Sequence, residues 1–260
     1  PSRSPSSPAP SRSTSRTASP SASATPATAG DRSAVPYTSP QGVASEYTIV
    51  AGHLSGSAPT GLIVYLHGDG YGEFSPSSTV LQEYAAVARE QGMLLVAPVT
   101  PDRTTSTWWR NQSSGDWLRA FLQHIQAGYR IDHAQVWFVG YSGGAEVITN
   151  VVVPQHSDLF TGGGALMIGG GSYGQRAASS SSVLVSHHQT FQMTWLVGEL
   201  DTPSRGGDGG FDALGEARRA ESGFRQQGMT RTTLTVVPGE NHITSVHRGA
   251  AELRQMLSTR

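Results

Sequence analysis

The stretch "VWFVGYSGGAEV", residues 136–147, decides how the chain is read. Four mostly apolar residues run directly into Gly140-Tyr141-Ser142-Gly143-Gly144. That order predicts a buried strand, a sharp turn and then a helix. In a G-x-S-x-G turn the serine is forced into strained backbone geometry, and small neighbours leave room for it. Gly143 then presents its N–H beside the hydroxyl, at a helix N-terminus whose dipole favours negative charge. Gly144 is explained by close backbone packing, and Glu146 by an acid's preference for the first helical turn. A chain with 31 glycines makes such a pattern by chance, so Ser142 needs partners elsewhere.

Strands and helices alternate outward from this point. "EYTIVAG" (46–52), "GLIVYLHG" (61–68), "MLLVAPV" (93–99), "QVWFVG" (135–140), "FTGGGALMIGG" (160–170), "QMTWLVG" (192–198) and "RTTLTVV" (231–237) read as strands. Several are continuous apolar runs, as buried parallel strands require. Helices are expected over 77–92, 113–129, 211–228 and 244–258. In the second of these, Trp117, Leu118, Phe121, Leu122 and Ile125 share one face. "EVITNVVV" (146–153) is rich in β-branched residues and locally favours strand. It is read as a helix buried on most sides and ended by Pro154, with tertiary context overriding propensity. The alternation implies an α/β fold, with a mostly parallel central sheet flanked by helices.

A serine hydroxyl on such a turn needs a base and an acid, which follow it in the order Ser, acid, His. His156, His187, His188, His242 and His247 follow Ser142. His187 and His188 precede the strand that should carry the acid, and His247 falls inside the last helix. His242, in "VVPGENHIT" after the last strand, is therefore the expected base. The acid belongs just past "MTWLVG". Asp201 fits best, with Glu199 in reserve and Asp208, in "RGGDGG", further into a loop. A buried carboxylate there holds the imidazole tautomer and stabilises the imidazolium. A second oxyanion donor is expected from His67-Gly68-Asp69-Gly70-Tyr71-Gly72, where glycines permit close approach. The Asp69 N–H is the first choice and Gly70 the second. The Asp69 side chain must point away or pair with an arginine, since its charge opposes an oxyanion.

Composition narrows the possibilities. The 260-residue chain carries a net charge of −1, which argues against a dedicated nucleic-acid partner. No apolar run reaches the roughly 18 residues of a transmembrane helix. Cysteine is absent, which removes disulfides, thiolate nucleophiles and cysteine metal sites. All 18 basic residues are arginine, so lysine Schiff-base chemistry and a P-loop lysine are excluded. With no H-E-x-x-H, Rossmann fingerprint or P-loop either, no metal or organic cofactor is expected. Residues 1–30 contain no apolar side chain larger than alanine. Residues 1–40 are accordingly expected to be a disordered Ser/Thr/Pro/Ala-rich linker, and 41–260 one catalytic domain. The tail, and a first residue other than Met, suggest a removed signal peptide or lipoprotein anchor. The expected location is extracellular or attached to the cell envelope.

"YLHGDG", "GYSGG", "GELDTP" and "GENH", in this order and strand context, resemble the α/β-hydrolase superfamily over nearly all of residues 41–260. Within it the chain looks like the secreted bacterial esterases grouped with poly(3-hydroxybutyrate) depolymerases and feruloyl esterases. The resemblance implies hydrolysis of a small-molecule or polymeric ester through an acyl-enzyme, with Ser142, Asp201 and His242 as triad.

For substrate binding, "TSTWWRNQSSGDW" (105–117) follows the fourth strand. Trp108 and Trp109 are candidates for an aromatic wall, Arg110 for an anionic group and Tyr71 for the site lining. The alternative for the tryptophans is that one packs in the core and the other covers it. A serine peptidase or an acyltransferase would use the same triad, and a hydrolase-like binding module would carry it unused.

Overall fold

The computed structural model describes residues 30–55, 58–70, 72, 75, 77–108, 112–179, 185–205 and 210–259. Eight strands form one sheet: β1 (Arg32–Thr38), β2 (Ala44–Val50), β3 (Thr60–Leu66), β4 (Leu94–Pro98), β5 (Ile131–Tyr141), β6 (Gly163–Ile168), β7 (Phe191–Gly198) and β8 (Thr232–Val237). Their order across the sheet is β1-β2-β4-β3-β5-β6-β7-β8. β2 pairs antiparallel with both β1 and β4, and every other pairing is parallel. The mostly parallel sheet flanked by helices is the expected architecture.

Parallel strands need crossover connections, and helices supply them on both faces. The helices are α1 (Thr79–Gln91), α2 (Gln112–Gly128), α3 (Gly143–Val147), α4 (Val153–Gln155), α5 (Gln175–Ser179), α6 (Ala213–Gln226), α7 (His242–Ser245) and α8 (Gly249–Ser258). Successive strand residues point to opposite faces. Leu62, Val64, Leu66, Val136 and Phe138 therefore pack with Trp117 and Phe121 of α2 and Phe224 of α6. Ile63, Tyr65, Trp137 and Val139 pack with Tyr84 of α1 and Leu253 of α8 on the other side. The predicted face of α2 is buried throughout, from Trp117 to Ile125.

Two expectations are corrected. The folded part begins before residue 41, because β1 is an edge strand of the sheet. It carries Pro36 and exposes most of its side chains, so it lacks the apolar signal of the inner strands. Asp31 ties its start to the body: Oδ1 accepts from the N–H groups of Ala51 and Gly52 at 2.9 and 2.8 Å. Secondly, the helix over 146–153 is not a plain α-helix ended by Pro154. A π-turn spans Ile148–Val152, and Pro154 lies inside the last turn, α4. The β-branched residues are accommodated by burial, as expected: Val147, Ile148, Val152 and Val153 are all in the core.

The C-terminal ends of β3, β5, β6, β7 and β8 all open on one edge of the sheet, where loops after parallel strands form a crevice.

Candidate active site

Ser142 joins β5 to α3 with φ 50° and ψ −114°. A positive φ at a non-glycine residue costs roughly 1–3 kcal/mol and persists only where the surroundings enforce it. Its own N–H is anchored on the Ile168 carbonyl at 2.8 Å. Gly140 and Gly144 bring strand and helix too close for side chains. A Cβ on Gly144 would lie 2.1 Å from the Leu66 carbonyl oxygen, and one on Gly140 would lie 2.5 Å from the Gly144 carbonyl carbon. This is the close backbone packing expected of Gly144. Gly143 opens the helix, so its N–H is among those that intrahelical bonding leaves over.

His242 opens α7, and its backbone is held from two sides. Asn241 caps the helix reciprocally: its Oδ1 accepts from Ile243 and Thr244 N–H at 3.0 Å, while Thr244 Oγ1 accepts from the Asn241 N–H at 3.0 Å. The Tyr141 hydroxyl donates to the His242 carbonyl at 3.2 Å, and the two rings lie 5.2 Å apart. Asp201 follows β7 and is wholly buried. Its backbone is fixed by the bond from its N–H to the Gly198 carbonyl and by the Leu214 N–H on its own carbonyl, both at 3.1 Å.

These three side chains meet. His242 Nδ1 lies 2.8 Å from Asp201 Oδ2, and His242 Nε2 lies 3.0 Å from Ser142 Oγ. With Nδ1–H donating to the carboxylate, Nε2 is left to accept from the serine hydroxyl. Asp201 Oδ1 is buried without a hydrogen-bond partner among the described residues.

The strand β3 delivers His67 and Gly68. His67 Nε2 accepts from the Thr100 N–H at 3.0 Å, so its proton sits on Nδ1, which donates to the Gly68 carbonyl at 2.6 Å. Burial pushes the imidazole down to about 4, so it stays neutral. The Gly68–Asp69 peptide is trans, and its N–H therefore points opposite to the carbonyl that His67 holds. Asp69 is exposed at the end of this loop. Gly70, the second-choice donor, is corrected: its N–H is committed to the Ser106 carbonyl at 3.0 Å.

Other expected residues fall elsewhere. Glu199 turns outward to accept from the Gly239 N–H at 3.1 Å, so it is not the acid. His187 is buried against Phe160 and Phe191, and His247 is exposed beyond the C-terminal end of α7. Trp108 is corrected as a substrate wall. It is 1% exposed, its ring centroid 5.1 Å from that of His67 and 6.4 Å from that of Trp117, both pairs tilted, and thus part of the core beneath the site. Tyr71, Trp109, Arg110 and Asp208 lie outside the described residues. Among the described residues no three His, Asp or Glu side chains converge as a metal site, and no helix is long and apolar enough to cross a membrane.

Glu146 does more than suit a helix dipole. Its Oε1 accepts from the N–H groups of Gly171 and Ser172 at 2.9 and 3.1 Å. Its Oε2 accepts from the Ser172 hydroxyl and from Asn150 Nδ2. Burial raises its carboxyl above the usual carboxylate range, against the lowering effect of these bonds.

Comparison with solved structures returns α/β-hydrolase enzymes. A feruloyl esterase module from Clostridium thermocellum, complexed with sinapinate, matches with a TM-score of 0.62 at 12% identity, over 90% of this chain and 91% of that one. A poly(3-hydroxybutyrate) depolymerase from Bordetella parapertussis matches with a TM-score of 0.58 at 18% identity, over 88% and 95%. A thermostable esterase matches at 0.56 and 16% identity, over 85% of this chain, which spans 59% of that one. The likeness establishes the α/β-hydrolase fold. No protein-family model matches the sequence, and no curated protein does.

Proposed function

We propose that this chain is a serine hydrolase that cleaves carboxylic esters through an acyl-enzyme. The observation that carries it is the pair of hydrogen bonds from Ser142 to His242 and on to Asp201, made by side chains on three separate loops at one edge of the sheet. His242 Nε2 takes the serine proton as Oγ attacks the ester carbonyl, and the buried Asp201 carboxylate stabilises the imidazolium. The negative charge on the carbonyl oxygen falls to the Gly143 N–H and the Asp69 N–H, each worth about 2.7–4 kcal/mol in such a role. His242 then gives the proton to the departing alcohol oxygen. Water, deprotonated by the same imidazole, releases the acid and restores Ser142.

The names of the structural neighbours favour esters, one being a feruloyl esterase and another a polyester depolymerase. The rim adds a preference. Ile243, next to the proton donor, is 63% exposed, and the edge of the half-buried Phe211 ring lies against His242 with centroids 6.4 Å apart. Since His242 must reach the leaving oxygen, its apolar flank meets the alcohol side of the ester. We therefore favour esters of apolar alcohols.

A panel of p-nitrophenyl and alkyl esters beside peptide substrates tests the reaction class. Turnover of esters and not of peptides supports the proposal. Peptide cleavage would indicate a peptidase, acyl transfer to sugars in place of hydrolysis a transferase, and no turnover of any substrate a binding module.

A further inference from the structure

We propose that Glu146 is a positioning residue for His242, acting through the glycine loop at residues 169–171; the kinetic part of this inference rests on the serine-hydrolase reading above. The loop follows β6 and forms the surface on which the triad rests. A Cβ on Gly169 would lie 3.1 Å from Nδ1 and Cε1 of His242 and 3.4 Å from Asp201 Oδ2. A Cβ on Gly170 would lie 2.8 Å from the Ser142 carbonyl oxygen. A side chain on the loop would therefore meet all three residues of the relay, so the loop passes them as bare backbone.

Three consecutive glycines make the least constrained stretch a chain can have. Gly169 and Gly171 both use the left-handed region, at φ 59° and 88°. The Gly169 N–H donates to the Leu196 carbonyl at 3.0 Å, and beyond it two side chains grip the loop at Gly171. The Glu146 carboxylate takes the Gly171 and Ser172 N–H groups, and Trp195 Nε1 donates to the Gly171 carbonyl at 2.8 Å. Asn150, brought round by the π-turn, braces the same carboxylate at 3.3 Å and donates to the Ser172 carbonyl at 3.4 Å. Glu146 stands on the helix that begins at the nucleophile, so the clamp ties the position of Ser142 to the backbone beneath His242. A glutamine keeps one acceptor for the two N–H groups. It also turns a donor toward Ser172 Oγ and Asn150 Nδ2, and so loosens the clamp without emptying it.

The test compares wild type, Glu146→Gln and Trp195→Phe. The two substitutions release Gly171 from opposite sides. We expect both variants to fold, with kcat reduced about 10–100-fold and KM changed less than twofold, the pattern of a misplaced reacting group. The downfield proton resonance of His242 Nδ1–H gives a readout that needs no turnover. It is expected to be sharp in wild type and broadened or shifted in both variants. Unchanged kcat and an unchanged resonance in folded variants would overturn the proposal. So would a fall in thermal stability alone, with both kinetic and spectroscopic readouts intact. A wild type that hydrolyses no ester, while the resonance responds in the variants, would retain the positioning role and reject the esterase reading.

Discussion

His242 Nδ1 lies 2.8 Å from Asp201 Oδ2, and the carboxylate that it meets is wholly removed from solvent. A carboxylate can only accept, so the imidazole is held in the tautomer that leaves Nε2 facing Ser142.

Asp201→Asn keeps the shape of that side chain and loses this direction, since the amide can offer N–H to Nδ1 and stabilise the wrong tautomer. kcat for ester hydrolysis is expected to fall by on the order of 10⁴, with the protein folded and KM within a few-fold of wild type. Steady-state kinetics on a p-nitrophenyl ester, beside circular dichroism, make the check. A loss under tenfold would remove Asp201 from the mechanism.

His67 gives the fold a pH dependence of known sign. Burial lowers its imidazole from 6.5 to about 4. Between those values the unfolded chain binds a proton there and the folded protein does not, so stability is lost as pH falls through that window. The full span is worth about 3 kcal/mol. Glu146, raised by burial, acts in the opposite sense, but it is present in both wild type and His67→Gln and cancels in the comparison. Denaturant unfolding from pH 7.5 to 4 should show wild type losing that much more stability than the variant. Parallel curves would mean that His67 is not buried neutral.

Ile243→Ser removes the exposed apolar flank beside His242. The ratio of kcat/KM for hexyl over methyl esters of one acid is expected to drop about tenfold, near the lower end of the roughly 1.5–3 kcal/mol for burying such a side chain. The ratio across acyl lengths with a common alcohol should move much less. Equal effects on both series would place the side chain away from the leaving group.

Much of the proposed site was legible in the sequence because its residues sit where strands end. Ser142 directly follows β5, Asp201 comes just after the end of β7 and His242 in the loop after β8, so strand order narrowed the partners. Glu199 stood second to Asp201 by its spacing from Gly198 alone, and in space it faces Gly239. β1 was hidden because an edge strand with Pro36 and mostly exposed side chains has no apolar alternation to read. Trp108 and Trp109 are adjacent and chemically equal in sequence, and only packing against His67 and Trp117 puts the first in the core. Glu146 looked like a dipole partner because its true partners, Gly171 and Ser172, lie on a loop after the next strand. The one signal for it was the "GGG" at 169–171, a loop that needs an external hold.

The most direct measurement is covalent labelling by a fluorophosphonate, followed by mass spectrometry of the modified peptide. One adduct is expected on Ser142, lost in a folded Ser142→Ala variant, with ester turnover lost in the same variant. An adduct on another residue, or undiminished turnover by folded Ser142→Ala, would contradict Ser142 as the nucleophile.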